Sequence, residues 1–429
     1  MPLTDAHVAV AIFVVTYALI VSERVHKTTA ALLGAVAVIA FHVLETEEAW
    51  DAIDLNVVLL LAGMMVIANT TATTGVFQWI AIRSVKAARG SPMGALLMLC
   101  GVTAGLSAFL DNVTTVVLIA PVTILVAETL GVRIAPMLIA EAIASNIGGT
   151  ITLIGDPPNI LIGSFAGVGF AEFTQNVGPG AVLALAVYLL FLRVQARREM
   201  RASAEVRARV MTIPESDVIT DPRLLRICLG VLAFTMAGFL AHGALGYEPS
   251  AVALTGATVL LLITRDDPHH ALRDVEWSTL FFFIGLFVVV AGLEHTGVLG
   301  RVGREATEAS GGSLGVATML ILWLSTLLSG IVDNIPYTAT MLPVVRELGA
   351  GLGGEAAGTQ VLWWALAMGA DLGGNLTVIG ASANVLVANL AARSGHRISF
   401  WEFFRFGLPA TLVTVAISTG YLWLRFLAF

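Results

Sequence analysis

Residues 110–122, LDNVTTVVLIAPV, return without a gap as residues 332–344, VDNIPYTATMLPV, at an offset of 222. Further along, SNIGGTITLIGDPPN (145–159) returns as ADLGGNLTVIGASAN (370–384) at an offset of 225. The matched positions include Asp111 with Asp333, Asn112 with Asn334 and Pro121 with Pro343. In the second pair Gly148, Gly149, Thr152, Gly155 and Asn159 meet Gly373, Gly374, Thr377, Gly380 and Asn384. A fainter echo, GFAEF (169–173) against SFWEF (399–403), pairs Glu172 with Glu402. Unrelated apolar helices share Leu and Val by chance, not Asp, Asn, paired Gly and Thr. The chain is therefore an internal duplication, a signal to be read before any other.

The rest of the sequence says where that duplication sits. Of 429 residues, 57% are apolar and 12% charged, against about 45–50% and about 25% in soluble domains. Mean hydropathy is +0.88. A chain with so little polar surface is a polytopic membrane protein, which excludes fibrous, disordered, disulfide-scaffold and nucleic-acid-binding readings. Cys100 and Cys228 both lie in apolar segments, so no thiolate metal site or cofactor is indicated.

Apolar runs fall at roughly 7–22, 29–44, 55–72, 94–129, 135–168, 178–194, 223–242, 250–264, 277–293, 313–347, 361–392 and 405–426. A helix needs about 20 apolar residues to span the hydrocarbon core, and no alternating barrel pattern is present, so the predicted fold is all-α. The N-terminus lacks a positive leader region and a clear cleavage site, and 7–22 reads as a first span. If 94–129 and 313–347 are re-entrant hairpins, 19 of the 23 basic residues collect on one side. Basic loops face the cytoplasm. This places the N-terminus outside and the long polar linker at 196–222 in the cytoplasm, in an inner (plasma) membrane. The linker divides a first repeat (1–195) from a second (223–429). Each comprises five spans plus a hairpin, and an odd number of spans makes the repeats inverted.

Inverted repeats with Gly- or Pro-interrupted segments in matching places mark the central site of a secondary transporter. The interruptions are Asp111–Asn112 and Asp333–Asn334 at the hairpin tips, with GDPPN (155–159) and GASAN (380–384) inside long spans. Irregular backbone at membrane depth survives only where protein or water satisfies it, so the four breaks should converge at the midplane. Asn112, Thr114, Thr115, Asn146, Gly149, Thr152 and Asn159 then supply substrate-binding groups from the first half. Asn334, Thr338, Gly374, Asn375, Thr377 and Asn384 supply them from the second. Helix capping is the competing role for any one of these side chains. Asp111, Asp156, Asp333 and Asp371 are the candidates for the coupling ion, H⁺ or Na⁺, since a carboxylate inside a membrane is costly and functional by default. No Arg, Lys or His lies in the sequence at any break, so these carboxyls are expected to be protonated, capping or cation-bound. Two aspartates could form a protease dyad, but four at duplicated Gly-rich breaks fit that poorly. The repeated filter loop or charge ring of a channel is missing.

These motifs, with AEAIASNIGGTITLIGDPPNIL and GADLGGNLTVIGASANV in full, resemble the arsenite-efflux and sodium–proton antiporter (ArsB/NhaD) permease family, in particular its P protein-like branch. The resemblance covers both halves. It implies an elevator-type transporter, a homodimer, whose hairpin-tip Asp111, Asn112, Asp333 and Asn334 and whose two broken spans form the site. Related dicarboxylate carriers use Ser-Asn-Thr at the tips, where this chain has Asp-Asn. The reading that follows is efflux of arsenite or antimonite coupled to inward protons. The alternatives are Na⁺/H⁺ antiport or a Na⁺- or H⁺-coupled carrier of citrate or dicarboxylates. The partners are then a small inorganic solute or ion and a second copy of the chain; no ATPase partner is legible. Cysteines introduced into 196–222 should react with an impermeant thiol reagent only from the cytoplasmic side. Labelling from outside would overturn the orientation.

Overall fold

The computed structural model describes residues 5–428 apart from 23, 201, 213–214, 216–217, 266 and 355–357. Part of the predicted linker and the N-terminal residues 1–4 thus lie outside the described residues. Every described element is helical. The first half runs α1 (Asp5–Ser22), α2 (Lys27–Ala40), α3 (Thr46–Asp51), α4 (Leu55–Ala72), α5 (Val76–Ala87), α6 (Pro92–Ser107), α7 (Asn112–Leu130), α8 (Ile134–Gly149), α9 (Pro157–Ala166) and α10 (Phe170–Gln195). A short α11 (Ala204–Val210) occupies the linker. The second half repeats the order in α12 (Pro222–Leu245), α13 (Pro249–Thr264), α14 (Pro268–Arg273), α15 (Trp277–His295), α16 (Val298–Ala309), α17 (Leu314–Ser329), α18 (Asn334–Gly351), α19 (Val361–Gly373), α20 (Ser382–Arg393) and α21 (Phe400–Leu422).

Among the described residues, seven helices are long and apolar enough to cross a membrane, and six shorter apolar helices accompany them. The two expected hairpins are each a pair of helices, α6–α7 and α17–α18, turning at 108–111 and 330–333. The run at 135–168 is two helices, and the irregular backbone lies at 150–156 rather than at 155–159. The prolines open α9 instead of closing α8: Pro157 and Pro158 occupy its first two positions, where a missing N–H costs nothing. Pro179 and Pro409 lie inside α10 and α21, so both helices begin well before the apolar runs at 178–194 and 405–426. The linker carries α11, which polarity alone did not reveal. The amphipathic arms α5 and α16 fell between the predicted spans for the same reason.

The halves interlock. Helix α2 packs on α15 and α4 on α13, while α7 packs on α20 and α18 on α9, so each hairpin meets the broken helix of the other half. The breaks themselves are built alike. Thr152 Oγ1 donates to the Ala108 carbonyl, and Thr377 Oγ1 to that of Gly330 at 2.6 Å. Asn159 Nδ2 donates to the Gly149 and Thr152 carbonyls at 3.1 and 3.2 Å, and Asn384 Nδ2 to those of Gly374 and Thr377 at 2.7 and 2.9 Å. These bonds satisfy carbonyls that the interruption orphans.

Glycine is required where the two strands of a break touch. A Cβ on Gly155 would stand 2.5 Å from the Gly149 carbonyl oxygen and 2.7 Å from that of Ser107. Backbone cannot yield as a side chain does. Gly155→Ala should therefore lower thermal stability in detergent by an overpacking penalty of about 1–3 kcal/mol. Gly230→Ala on α12, where nothing lies within 4 Å, should unfold like the wild type.

Candidate functional site

Three of the four candidate aspartates stand at helix N-cap positions, and the structure uses them differently. Asp111 caps α7, its carboxylate accepting from the Val113 and Thr114 backbone N–H groups at 2.9 and 3.0 Å and from Thr114 Oγ1 at 2.5 Å. Asp333 caps α18 through the Ile335 N–H at 3.1 Å. Asp156, at the N-cap of α9, makes no capping bond. Pro158, one of the two positions from which a capping donor comes, has no N–H. The Asn159 N–H at the other donates to the Asp156 backbone carbonyl instead, at 3.0 Å. The Asp156 carboxylate is thus released from its own helix.

It is taken up by both hairpin tips. Asn112 Nδ2 donates to Asp156 Oδ2 at 2.7 Å, and Asn334 Nδ2 reaches both carboxylate oxygens at 3.4 Å. From Asn112 the network continues to Asn146 Oδ1 at 3.3 Å. Asn146 Nδ2 donates to Asn375 Oδ1 at 2.9 Å and to Asn384 Oδ1 at 3.1 Å. All four interruptions therefore meet through side chains, and Asn112, Asn146, Asp156, Asn334, Asn375 and Asn384 are all buried.

Asp371 belongs to the same buried group. It stands on α19 at the position Asn146 holds on α8. It is fully buried, and neither of its carboxylate oxygens meets hydrogen-bond geometry with any partner. The Thr150 and Asn159 side chains lie toward it. Asn159 Oδ1 and Asn375 Nδ2 are likewise buried and unpaired. Buried polar groups without partners cost about 1–3 kcal/mol each, more when charged. A site that leaves several of them facing inward is suited to a bound cation, proton or polar solute.

The remaining predicted site residues surround these groups. Thr152, Thr377 and the amide nitrogens of Asn159 and Asn384 hold the breaks. Gly149 and Gly374 provide their close backbone approach, with a Cβ on Gly374 reaching within 3.1 Å of the Gly380 carbonyl. Thr114 supports the Asp111 cap, and the Thr115 and Thr338 hydroxyls are buried without partners.

One expectation is corrected. No basic residue adjoins the breaks in sequence, but α2 brings Lys27 to the second tip. Its Nζ lies 3.0 Å from Asp333 Oδ2 and 2.7 Å from Ser382 Oγ, and 5.1 Å from the centre of the Phe282 ring. Tyr17 on α1 adds a bond from its hydroxyl to the Pro336 carbonyl at 2.6 Å. Lys27 and Asp333 border a cavity of about 340 Å³ lined by Ile20, His26, Ile331, Ser382 and Asn389 among others. Neither Tyr17 nor Lys27 carries a sequence signal for this role, because only the packing of α1 and α2 creates it.

Such a core, with buried carboxylates and carboxamides at helix interruptions, defines a membrane transporter. The citrate transporter family model matches residues 17–369, and the chain belongs to that family, within the ion transporter superfamily. This match and the likeness to P protein bear out the resemblance at the level of the superfamily, without singling out the ArsB/NhaD permeases. The chain is 47% identical to an uncharacterized transporter of Mycobacterium bovis over 98% of both chains. It is 45% identical to the 46 kDa membrane protein of Mycobacterium leprae over 98% of this chain and 99% of the relative. It is 34% identical to the human P protein over 98% of this chain and 60% of that protein. The crystal structure of the Alcanivorax borkumensis YdaH transporter, described as having an unusual topology, is similar with a TM-score of 0.62 over 98% of both chains. At 15% identity this likeness concerns the fold alone.

Losing a cap should cost stability whereas an isosteric cap should not. Asp111→Ala should destabilise the purified protein by about 0.5–2 kcal/mol, and Asp111→Asn should stay close to wild type, since Asn caps as well as Asp. Thermal unfolding of both variants checks it.

Proposed function

We propose that the protein is a secondary active transporter in which Asp156 and Asp371 bind the coupling ion, and that its cargo is a small uncharged or cationic solute. The observation that carries this reading is the pair of buried carboxylates with no basic partner. Asp156 is bound by carboxamides from the two hairpins, and neither oxygen of Asp371 meets hydrogen-bond geometry with a partner among the described residues, only the Thr150 and Asn159 side chains lying toward it. Unpaired charge in such a place is strongly unfavourable, so a proton or Na⁺ neutralises it during the cycle. The capping bonds of Asp111 and Asp333 and the Lys27 pair already occupy those two carboxylates, and coupling narrows to the central two.

Arsenous or antimonous acid suits the site as cargo. It is neutral near pH 7, as a trihydroxide it exchanges hydrogen bonds with Asn and Asp, and it needs no cationic clamp. Efflux coupled to inward protons is the leading reading, and Na⁺/H⁺ antiport uses the same carboxylates. The hairpins, paired breaks and duplicated element order support inverted repeats working by an elevator movement, as a homodimer. The charge bias supports an inner-membrane location with the N-terminus outside and the 196–222 linker, the boundary between repeats, in the cytoplasm. A second reading has one observation in its favour. Lys27 beside a cavity of about 340 Å³ could meet a carboxylate group, in keeping with the description of the family as citrate transporters.

Reconstituted vesicles with an imposed pH gradient separate these readings by flux of arsenite, ²²Na⁺ or citrate. Arsenite movement that follows the proton gradient is expected. Asp156→Asn or Asp371→Asn should abolish that dependence while the protein stays folded, and Asp111→Asn should retain it. Citrate flux lost on Lys27→Met, with no arsenite flux, would replace the leading cargo by an organic anion.

A further inference from the structure

Outside the central site, one more carboxylate is sealed within the apolar part of the chain. Glu141 of α8 is fully buried, five residues before Asn146. Thr123 Oγ1 on α7 donates to its Oε2 at 2.5 Å, and its Oε1 has no partner. Cys100 of α6 lies within its electrostatic reach, and Tyr188 of α10 donates from its hydroxyl to the neighbouring Ala140 carbonyl at 3.2 Å. The other titratable groups on helices packed against α8 are Asp371, Glu128, Glu172, Arg193, Arg393, Glu402, Arg405 and Tyr421. None of them forms an ion pair or hydrogen bond with Glu141.

The second repeat shows that packing does not require this group. Leu366 stands where Glu141 does, and Val345 where Thr123 does, an apolar pair in place of a polar one. The contrast extends along the seam toward the site. In the second repeat Ser325 and Tyr337 join at 2.9 Å between their hydroxyls. Their counterparts Thr103 and Thr115 are both fully buried and unpaired, because a Thr side chain does not fill the reach of a Tyr. Ser145, one helical turn beyond Glu141 on the same face, donates to Ser107 Oγ at 3.2 Å and to the Asn112 carbonyl at 3.3 Å. Hydroxyls thus line the matching faces of both repeats, while the Glu141–Thr123 pair belongs to the first repeat alone.

We propose that Glu141 is a proton-binding site separate from the central carboxylates. Protonation forms one O–H bond on the carboxyl as one O–H bond of a hydronium ion breaks, and release reverses it, so the step needs no further reactant. The proposal goes beyond the transport reading without resting on it, and its test does not use transport.

The experiment is an infrared pH titration of the purified full-length protein, following the C=O stretch of protonated carboxyls. Wild type is compared with Glu141→Gln, Glu141→Leu, Asp156→Asn and Asp371→Asn. Gln keeps an acceptor for Thr123, and Leu reproduces the second repeat, so at least one variant should fold; thermal unfolding checks this. The expected result is one titrating component lost in the folded Glu141 variants and retained in Asp156→Asn and Asp371→Asn. A set of titrating components unchanged by Glu141 substitution would overturn the proposal, as would a Glu141 component that does not titrate. Loss of the Asp156 component alone bears on the transport reading and leaves Glu141 as a proton site to be judged by its own band.

Discussion

A carboxylate with no cation beside it, deep in an apolar protein, is the constraint around which the rest is arranged. Asp156 is held by Asn112 from one hairpin tip and Asn334 from the other. Two segments separated by more than two hundred residues therefore share one group. Each hairpin must reach the same point, each long helix must stop there to let it in, and each stop exposes backbone that must be satisfied. The Thr and Asn side chains that tie the breaks together, and the glycines that let their strands touch, follow from that requirement.

Duplication supplied the frame, and departure from it supplied the chemistry. Where the repeats agree, the residues build: the threonine-to-carbonyl bonds, the asparagines locking each break and the capping aspartates. Where they differ, the residues carry charge. Asn146 faces Asp371 across the repeat, Asp156 faces Ala381, and Glu141 faces Leu366. Each half contributes one central carboxylate, at a different position of the same motif. Two carboxylates placed by strict symmetry would occupy equivalent points of a two-fold frame. The observed placement puts one where both hairpin tips donate to it and the other where only the Thr150 and Asn159 side chains lie toward it.

Much of this was legible before any coordinates. Paired Asp-Asn tips and Gly-rich interruptions are short-range signals, because a hairpin turn or a break in a helix is made by the residues at it. The all-helical class and the meeting of the four breaks followed. Lys27 was not legible: its partner Asp333 lies 306 residues away, and nothing in the surrounding sequence points to a tip. Tyr17 was hidden in the same way. Glu141 did leave a signal, as one of the two charged residues inside the apolar run 135–168, the other being Asp156. The division between scaffold and site among the Asn and Thr residues was also out of reach. Asn159 and Asn146 are alike in sequence, and only tertiary contacts give one amide to the backbone and the other to its neighbours across the repeat.

The double proline of the first break shows how local chemistry can free a group for distant use. An aspartate at an N-cap normally spends its oxygens on the N–H groups two and three positions into the helix, as Asp111 does. At Asp156 the second position is Pro158, which has no N–H, and the third is Asn159, whose N–H goes to the Asp156 carbonyl. The α9 helix begins without its cap, and the carboxylate turns to Asn112 and Asn334. In the second repeat the matching position is Ala381, followed by Ser382 and Ala383 with their N–H groups intact. Donors are removed in the repeat that has a carboxylate to release and kept in the one that has none. Pro158 thus does more than help open a helix: it leaves a capping residue free to accept from both hairpin tips.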